Sequence, residues 1–194
     1  MPLPLPPPLI PGRDPREVTV VFVRHGQAAA EISTNLGAPL SPLGRRQAAR
    51  VATRLKSQRF TRIIASDLLR AQETATAIIA HHRKTPFRLD RRIREIQMNV
   101  LPPERRRVET FCRTLVRTAR AGDQILIVAH GNLIRLAVAL LCGVDPRRQA
   151  FFRTYNTSVT VLAFYAGGKS GHKIILADCT RHLPPHTISN WAAS

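Results

Sequence analysis

The chain has 194 residues, 44% apolar and only 5% aromatic, which is enough for one domain whose core must come from Leu, Ile, Val and Ala. No apolar run reaches the ~20 residues of a membrane-spanning helix. Thirty Lys and Arg against twelve Asp and Glu give a net charge of +18, a field that attracts anions of many kinds without choosing among them.

Residues 1–16, beginning "MPLPLPPPLIPG", predict a Pro-rich flexible arm of polyproline type. The segment has no basic n-region, so it does not resemble a signal peptide. Residues 17–194 predict a single domain. Val18–Val23 is a continuous apolar run, expected of a strand buried on both faces. A polar loop with Asn35, Gly37 and Pro39 leads to "LSPLGRRQAARVATRLKS". Ser41 can cap that helix, Pro42 suits its first position, and Leu43, Gln47, Val51 and Leu55 recur one turn apart. Arg62–Ala65 predicts a short strand. Ser66 or Asp67 then caps a helix whose buried side is Leu68, Leu69, Ala71, Ala75, Ile78 and Ile79. Pro86–Asp90 is extended. Pro103–Arg120 is a helix with Val108, Phe111, Leu115 and Ala119 inward, stopped by Gly122-Asp123. Ile125–Ala129 is a second buried strand, followed by a helix over Asn132–Cys142. Val159–Phe164 and Lys173–Ala177 are strands around a turn at Gly167-Gly168. Strands alternating with helices predict an α/β fold: a three-layer αβα sandwich on a mostly parallel sheet with an antiparallel edge strand.

Cys112, Cys142 and Cys179 are odd in number and form no CxxC pair. They predict reduced thiols in a cytoplasmic setting, with Cys112 and Cys142 in the core. The arginine clusters Arg45-Arg46, Arg91-Arg92, Arg105-Arg106-Arg107 and Arg147-Arg148 are scattered and have no aromatic interleaving. They predict solvated surface, with no specific nucleic-acid partner and no membrane partner.

Two strands end alike. "VTVVFVRHGQ" runs into Arg24-His25-Gly26, and "ILIVAHGN" into His130-Gly131. Ligands of open α/β sheets bind at the carboxyl ends of the strands. If these strands are neighbours, both imidazoles face one pocket, and glycine lets the backbone approach a bound group. No carboxylate or thiol accompanies either histidine at ligand spacing, and the adjacent Arg24 repels a cation. No metal and no cofactor are therefore expected, and an anion fits better.

Four segments in order resemble the histidine phosphatase superfamily, also called the phosphoglycerate-mutase-like family: "VRHG", "NLGAPLSPLGRRQA", "IIASDLLRAQETA" and "ILIVAHGNLIR". The resemblance spans about residues 18 to 164. It implies that His25 is the nucleophile that becomes phosphorylated. It implies that Arg24, Arg70 and His130 bind the phosphoryl oxygens, and that Glu95, in "IREI", donates a proton to the leaving oxygen. Gln27, Asn35 and Gly131 match positions that contact substrate. Such a reaction needs fixed arginine forks for the charge on the equatorial oxygens. It also needs a neutral nucleophilic imidazole and a carboxyl kept protonated by its surroundings.

The chain also departs from the family. After Ile96 it lacks the acidic, glycine- and tryptophan-containing stretch of many relatives, which implies a shallow, open pocket with little lid. The true mutases follow RHG with a Glu-Ser and Trp-Asn pattern that "RHGQAAAEIS" lacks, pointing away from mutase activity. "YNTSVTVLAF" and "KIILADCTRHLPP" resemble the mitochondrial serine/threonine phosphatase branch. The implied activity is a phosphomonoester hydrolase acting on a phosphoprotein or a loosely selected phosphometabolite. A phosphohistidine phosphatase and a non-catalytic phosphopeptide-binding module are the alternatives, and a homodimer is compatible with all three.

Overall fold

The computed structural model describes residues 14–29, 37–97, 102–145, 153–167 and 171–189. Strand β1 (Glu17–Arg24) leads to α1 (Pro42–Leu55), β2 (Arg62–Ala65), α2 (Leu69–Ile79) and β3 (Phe87–Leu89). A 3₁₀ turn (Arg91–Ile93) precedes α3 (Pro102–Thr118), β4 (Gln124–Ala129), α4 (Gly131–Leu141), β5 (Val159–Tyr165) and β6 (Lys173–Cys179). The six strands lie in the order β3-β2-β4-β1-β5-β6. The first four in that order are mutually parallel, whereas β5 runs antiparallel to both β1 and β6. This is the expected α/β architecture, with β5 and β6 forming the antiparallel hairpin at one edge of the sheet.

The two faces of the sheet carry separate cores. Val18, Val20, Phe22, Ile125 and Ile127 face α3 and α4, with Phe111, Leu115, Leu133 and Ala137 packed on them. Val21, Val23, Leu126 and Val128 face α1 and α2, with Val51, Leu55, Ala75 and Ile78 packed on them. Covering both faces explains why β1 and β4 are unbroken apolar runs in the chain. It also makes three layers.

Local sequence chemistry fixes α1 as expected: the Ser41 Oγ accepts from Gly44 N at 2.9 Å, and Pro42 opens the helix. The start of α2 differs. Leu68 occupies the N-cap position without a side-chain cap, and Ser66 Oγ accepts from Leu68 N at 3.3 Å. Leu69, expected inside, is exposed, and Arg70 takes the buried position beside Ala71. A charge on the buried face of a helix needs partners there, and its partner is a histidine described below. Cys112 lies in the α3–α4 core with Cys142 against it. The three cysteines are free, and burial pushes the Cys112 thiol up to about 12, which makes it inert. No helix among the described residues is long and apolar enough to cross a membrane. Most of the Pro-rich arm, together with Arg147, Arg148 and Gly168, lies outside the described residues.

Candidate active site

Strands β1 and β4 are parallel neighbours in a register that sets Arg24 opposite Ala129. His25 and His130 therefore leave adjacent strands at the same end, and their ring centroids stand 5.0 Å apart at an interplanar angle of 60°. Helix α2 brings Arg70 to the same point, where its Nε donates to His25 Nε2 at 3.2 Å. Arg24 Nη1 donates to the Thr154 carbonyl in the loop before β5. The four side chains predicted to share a site do come together.

His25 is fixed on both ring nitrogens. Its Nδ1 lies 2.6 Å from the Gly26 carbonyl, which can only accept, so Nδ1 carries the proton. Arg70 Nε–H can only donate, so Nε2 presents its lone pair. Both contacts select one tautomer. Burial, then the cations Arg24 and Arg70, hold the His25 pKa well below the ordinary histidine value, so the ring is neutral at physiological pH. His130 is depressed in the same direction by burial first and then by His25, Arg70 and Arg24. Its Nε2 contacts Ser66 Oγ at 2.9 Å. Burial brings Arg24 down to about 10, which leaves it a cation at neutral pH. His130 Nδ1 and Arg70 Nη1 are buried and have no hydrogen-bond partner among the described residues.

Glu95 follows the 3₁₀ turn. Its Oε1 accepts from the backbone N–H of Ile96 at 3.1 Å and of Leu133 at 3.1 Å. It is not the surface partner of Arg92 or Arg94: those bind Asp90 and Asp67, at 2.7 and 2.6 Å. Burial raises the Glu95 pKa, against the backbone hydrogen bonds and the Arg24 and Arg70 charges that lower it. Arg107 and Arg135 also act on it electrostatically. A neutral imidazole with its lone pair held among cations, beside a carboxyl with a raised pKa, suits the binding and transfer of an anionic group.

The remaining expected contacts fare differently. Gln27 is half-buried, and its Oε1 accepts from Ser41 Oγ at 2.7 Å, tying it to the start of α1. Gly131 opens α4, and a Cβ there would meet Thr154 Oγ1 at 2.9 Å. Asn35 lies outside the described residues. The shallow pocket implied by the sequence meets side chains of low exposure: Arg24 2%, His25 1%, Arg70 1% and His130 0%. The segments 30–36, 98–101 and 146–152, which bear on any lid, lie outside the described residues. No group of three or more His, Cys, Asp or Glu among the described residues could hold a metal ion.

Several supporting residues lie in the segments that resemble the family but were assigned no role from the sequence. Asn156 Nδ2 donates to the His25 carbonyl at 3.1 Å, and Thr157 N approaches the same oxygen at 3.3 Å. Thr74 Oγ1 accepts from Gly26 N at 3.1 Å. Gln47 Oε1 accepts from Gln27 N at 2.8 Å, while Gln47 Nε2 donates to Ser189 Oγ at 2.9 Å. Gln47 was legible as part of a helical stripe and of the segment "NLGAPLSPLGRRQA", without a role. Thr157 has φ 55 and Asp178 φ 46, a region costly for non-glycine residues and common where a functional loop is held in shape.

The model of the histidine phosphatase superfamily (branch 1) matches residues 20–102 and 104–175. The chain belongs to this superfamily. It is 31% identical to "Probable phosphoglycerate mutase GpmB" of Yersinia enterocolitica, over 84% of this chain and 94% of that protein. "Phosphoglycerate mutase-like protein 4" of Arabidopsis thaliana is also 31% identical, over 77% and 81%. Among solved structures, a mycobacterial glucosyl-3-phosphoglycerate phosphatase bound to inorganic phosphate shares the fold with a TM-score of 0.73 and 22% identity, covering 86% of this chain and all of that one. Phosphoserine phosphatase from Entamoeba histolytica, in complex with 3-phosphoglyceric acid, gives 0.69 and 20%, with the same coverage. Superfamily membership and this fold support a phosphoryl-transfer enzyme.

Proposed function

We propose that the chain is a phosphomonoester hydrolase that works through a phosphohistidine on His25. The observation that carries this reading is the tautomer lock: Nδ1–H held by the Gly26 carbonyl at 2.6 Å, with the Nε2 lone pair among cations. In the first step that lone pair, freed as the Arg70 Nε–H turns to a phosphoryl oxygen, attacks phosphorus and the bond to the ester oxygen breaks. Glu95 gives its proton to the departing oxygen. In the second step the Glu95 carboxylate takes a proton from water, the water oxygen attacks phosphorus, and the N–P bond breaks. Orthophosphate leaves, and both groups regain their starting state. Arg24, Arg70 and His130 bind the equatorial oxygens, whose charge in transfer rewards fixed donors. The unpartnered Arg70 Nη1 and the unpartnered His130 nitrogen, both buried, are suited to that task. The substrate is a phosphorylated small molecule or a phosphoprotein. Gln27 and Gly131 line its approach, and Asn35 is assigned the same part.

The test is turnover of p-nitrophenyl phosphate, with rapid quenching to trap an acid-labile, base-stable phosphoenzyme. Parent protein should release phosphate and form the adduct, and His25→Ala should do neither. Equal turnover by His25→Ala sinks the proposal. Phosphopeptide binding without phosphate release would favour the non-catalytic module. The curated relatives are named mutases, so a second reading is transfer between two hydroxyls of phosphoglycerate; isomer analysis of that substrate decides it. A panel of phosphopeptides, phosphohistidine and phosphometabolites would rank the substrate classes.

A further inference from the structure

Arg107 lies on α3, in one of the clusters whose sequence predicts solvated surface, yet it is half-buried and its guanidinium is occupied by main chain. Its Nη1 donates to the carbonyls of Arg91 at 3.1 Å, Arg92 at 2.9 Å and Arg94 at 3.1 Å, and its Nη2 donates to the Glu95 carbonyl at 3.3 Å. Carbonyls at the end of a helical turn carry partial negative charge, and that of Arg91 also accepts from Arg94 N at 3.3 Å. One planar fork of donors collects four of them. The last of the four belongs to Glu95 itself.

Glu95 stands past the end of the 3₁₀ turn Arg91–Ile93, so the turn's own hydrogen bonds do not orient it. Two other contacts reach its neighbours. Arg94 pairs with Asp67 at 2.6 Å on a partly exposed surface, and Asn132 Nδ2 donates to the Ile96 carbonyl at 3.0 Å. Among the described residues only Arg107 makes a side-chain contact with the Glu95 main chain. It approaches from the α3 side, while Leu133 N of α4 grips the carboxylate at 3.1 Å. The peptide is thus held at one end and the carboxyl at the other.

We infer that Arg107 is a positioning residue that sets the Glu95 carboxyl against the leaving oxygen of a phosphate ester. The inference rests on the proposed role of Glu95 as proton donor. A residue that only pinned α3 to the turn would matter to stability alike for every substrate. A residue that positions the acid matters in proportion to how much the leaving group needs a proton. Glycerol phosphate leaves as an alkoxide and needs one badly, whereas p-nitrophenolate leaves with little help.

The experiment uses the full chain with Arg107→Ala, Arg107→Lys, Glu95→Gln and the double variant Arg107→Ala/Glu95→Gln, each checked for folding by thermal unfolding. Arg107→Ala should lower kcat/KM on glycerol phosphate by about 10–100-fold. On p-nitrophenyl phosphate kcat/KM, which reports the first step and not the Glu95-assisted hydrolysis of the phosphoenzyme, should stay within about threefold of the parent. Arg107→Lys, which keeps the cation but not the fork, should recover part of the loss and carries the same comparison if the alanine variant fails to fold. In the Glu95→Gln background, removing Arg107 should cost nothing further on glycerol phosphate. An equal fall of kcat/KM on both esters, or a loss that persists without the Glu95 carboxyl, overturns the inference. If Glu95→Gln itself does not discriminate between the esters, the proton-donor reading fails. If Glu95→Gln discriminates and the Arg107 variants do not, only the Arg107 inference fails.

Discussion

The two His-Gly pairs at the ends of β1 and β4 look alike in the chain but are held by different means. At the first, Gly26 is pressed against backbone: a Cβ there would sit 2.5 Å from the Gly44 carbonyl oxygen, at the start of α1. The His25 ring is tied to the carbonyl of its own neighbour, and the His25 carbonyl is gripped in turn by Asn156. At the second, a Cβ on Gly131 would meet the Thr154 hydroxyl, a side-chain atom, and the His130 ring is tied to the Ser66 hydroxyl. Main chain moves less readily than side chain, so the first pair is the rigid mount and the second the adjustable one. This is what the proposed nucleophile and the proposed oxygen-binding group respectively require: attack depends on sub-ångström placement, and charge stabilisation tolerates more play.

Substitutions can break this comparison or sharpen it. The largest effect belongs to His25, the proposed nucleophile. His25→Ala should remove ester turnover by roughly 10⁴-fold or more. His130→Ala should cost about 10²–10³-fold, as for loss of one donor to the transferring group, and should leave the phosphoenzyme detectable. Equal losses, with no adduct in either variant, would erase the distinction between the two histidines.

The glycines come next. Gly26→Ala forces apart the end of β1 and the start of α1, and should cost about 1–3 kcal/mol of stability and about 10²-fold in rate. Gly131→Ala needs only a hydroxyl to move and adds a better helix former. Its melting temperature should stay within a few degrees of the parent, a small offset set against the ~0.5–1 kcal/mol propensity gain. Similar thermal shifts in the two variants would show that the mounts are equally stiff. Ser66→Ala, which leaves the buried His130 Nε2 without its partner, should destabilise by about 1–3 kcal/mol and slow turnover about tenfold.

The remaining effect is graded with pH and needs no substitution. His25 and His130 both have depressed folded values, and burial with nearby cations takes His182 to about 4. Unfolded, each titrates near 6.5. As pH falls below about 6.5, the unfolded chain gains protons that the folded one refuses, so stability drops by up to about 1.4 kcal/mol per pH unit for each histidine. Denaturant midpoints measured between about pH 7 and pH 5 should show this, and His25→Asn or His130→Asn should each flatten the slope. In activity, the raised Glu95 value puts the loss of its proton on the alkaline limb of ester hydrolysis. Glu95→Gln should abolish that limb, and a profile that still falls on the alkaline side would point to another acid.

The sequence made β1 and β4 legible because strands covered on both faces leave unbroken apolar runs, and it made α1 legible through the Ser41 cap and Pro42. The antiparallel edge of β5 and β6 was legible because a hairpin is a local feature, while the pairing of β5 with β1 depends on the whole sheet. Arg24, His25, Arg70 and His130 were found because their segments resemble a family in the right order. Leu69 was placed inside and Arg70's burial missed for one reason: hydrophobicity assigns helix faces, and here a charged side chain has a reason to be buried. Asn156, Thr157 and Arg107 fell in segments that were singled out, yet their roles were missed because each acts by binding main chain far away in sequence, a task for which no residue spacing is diagnostic.

The grip on the His25 carbonyl has a consequence in time. Asn156 holds that oxygen, and Ser189 holds Asn156 in turn, with Ser189 Oγ donating to Asn156 Oδ1 at 3.0 Å and Asn156 N to the Ser189 carbonyl at 3.0 Å. A ribosome reaches residue 189 on the order of 10–30 seconds after residue 25, at about 5–20 residues per second. The nascent protein can assemble β1, β4 and their helices, and so own both imidazoles, before the nucleophile has its final support.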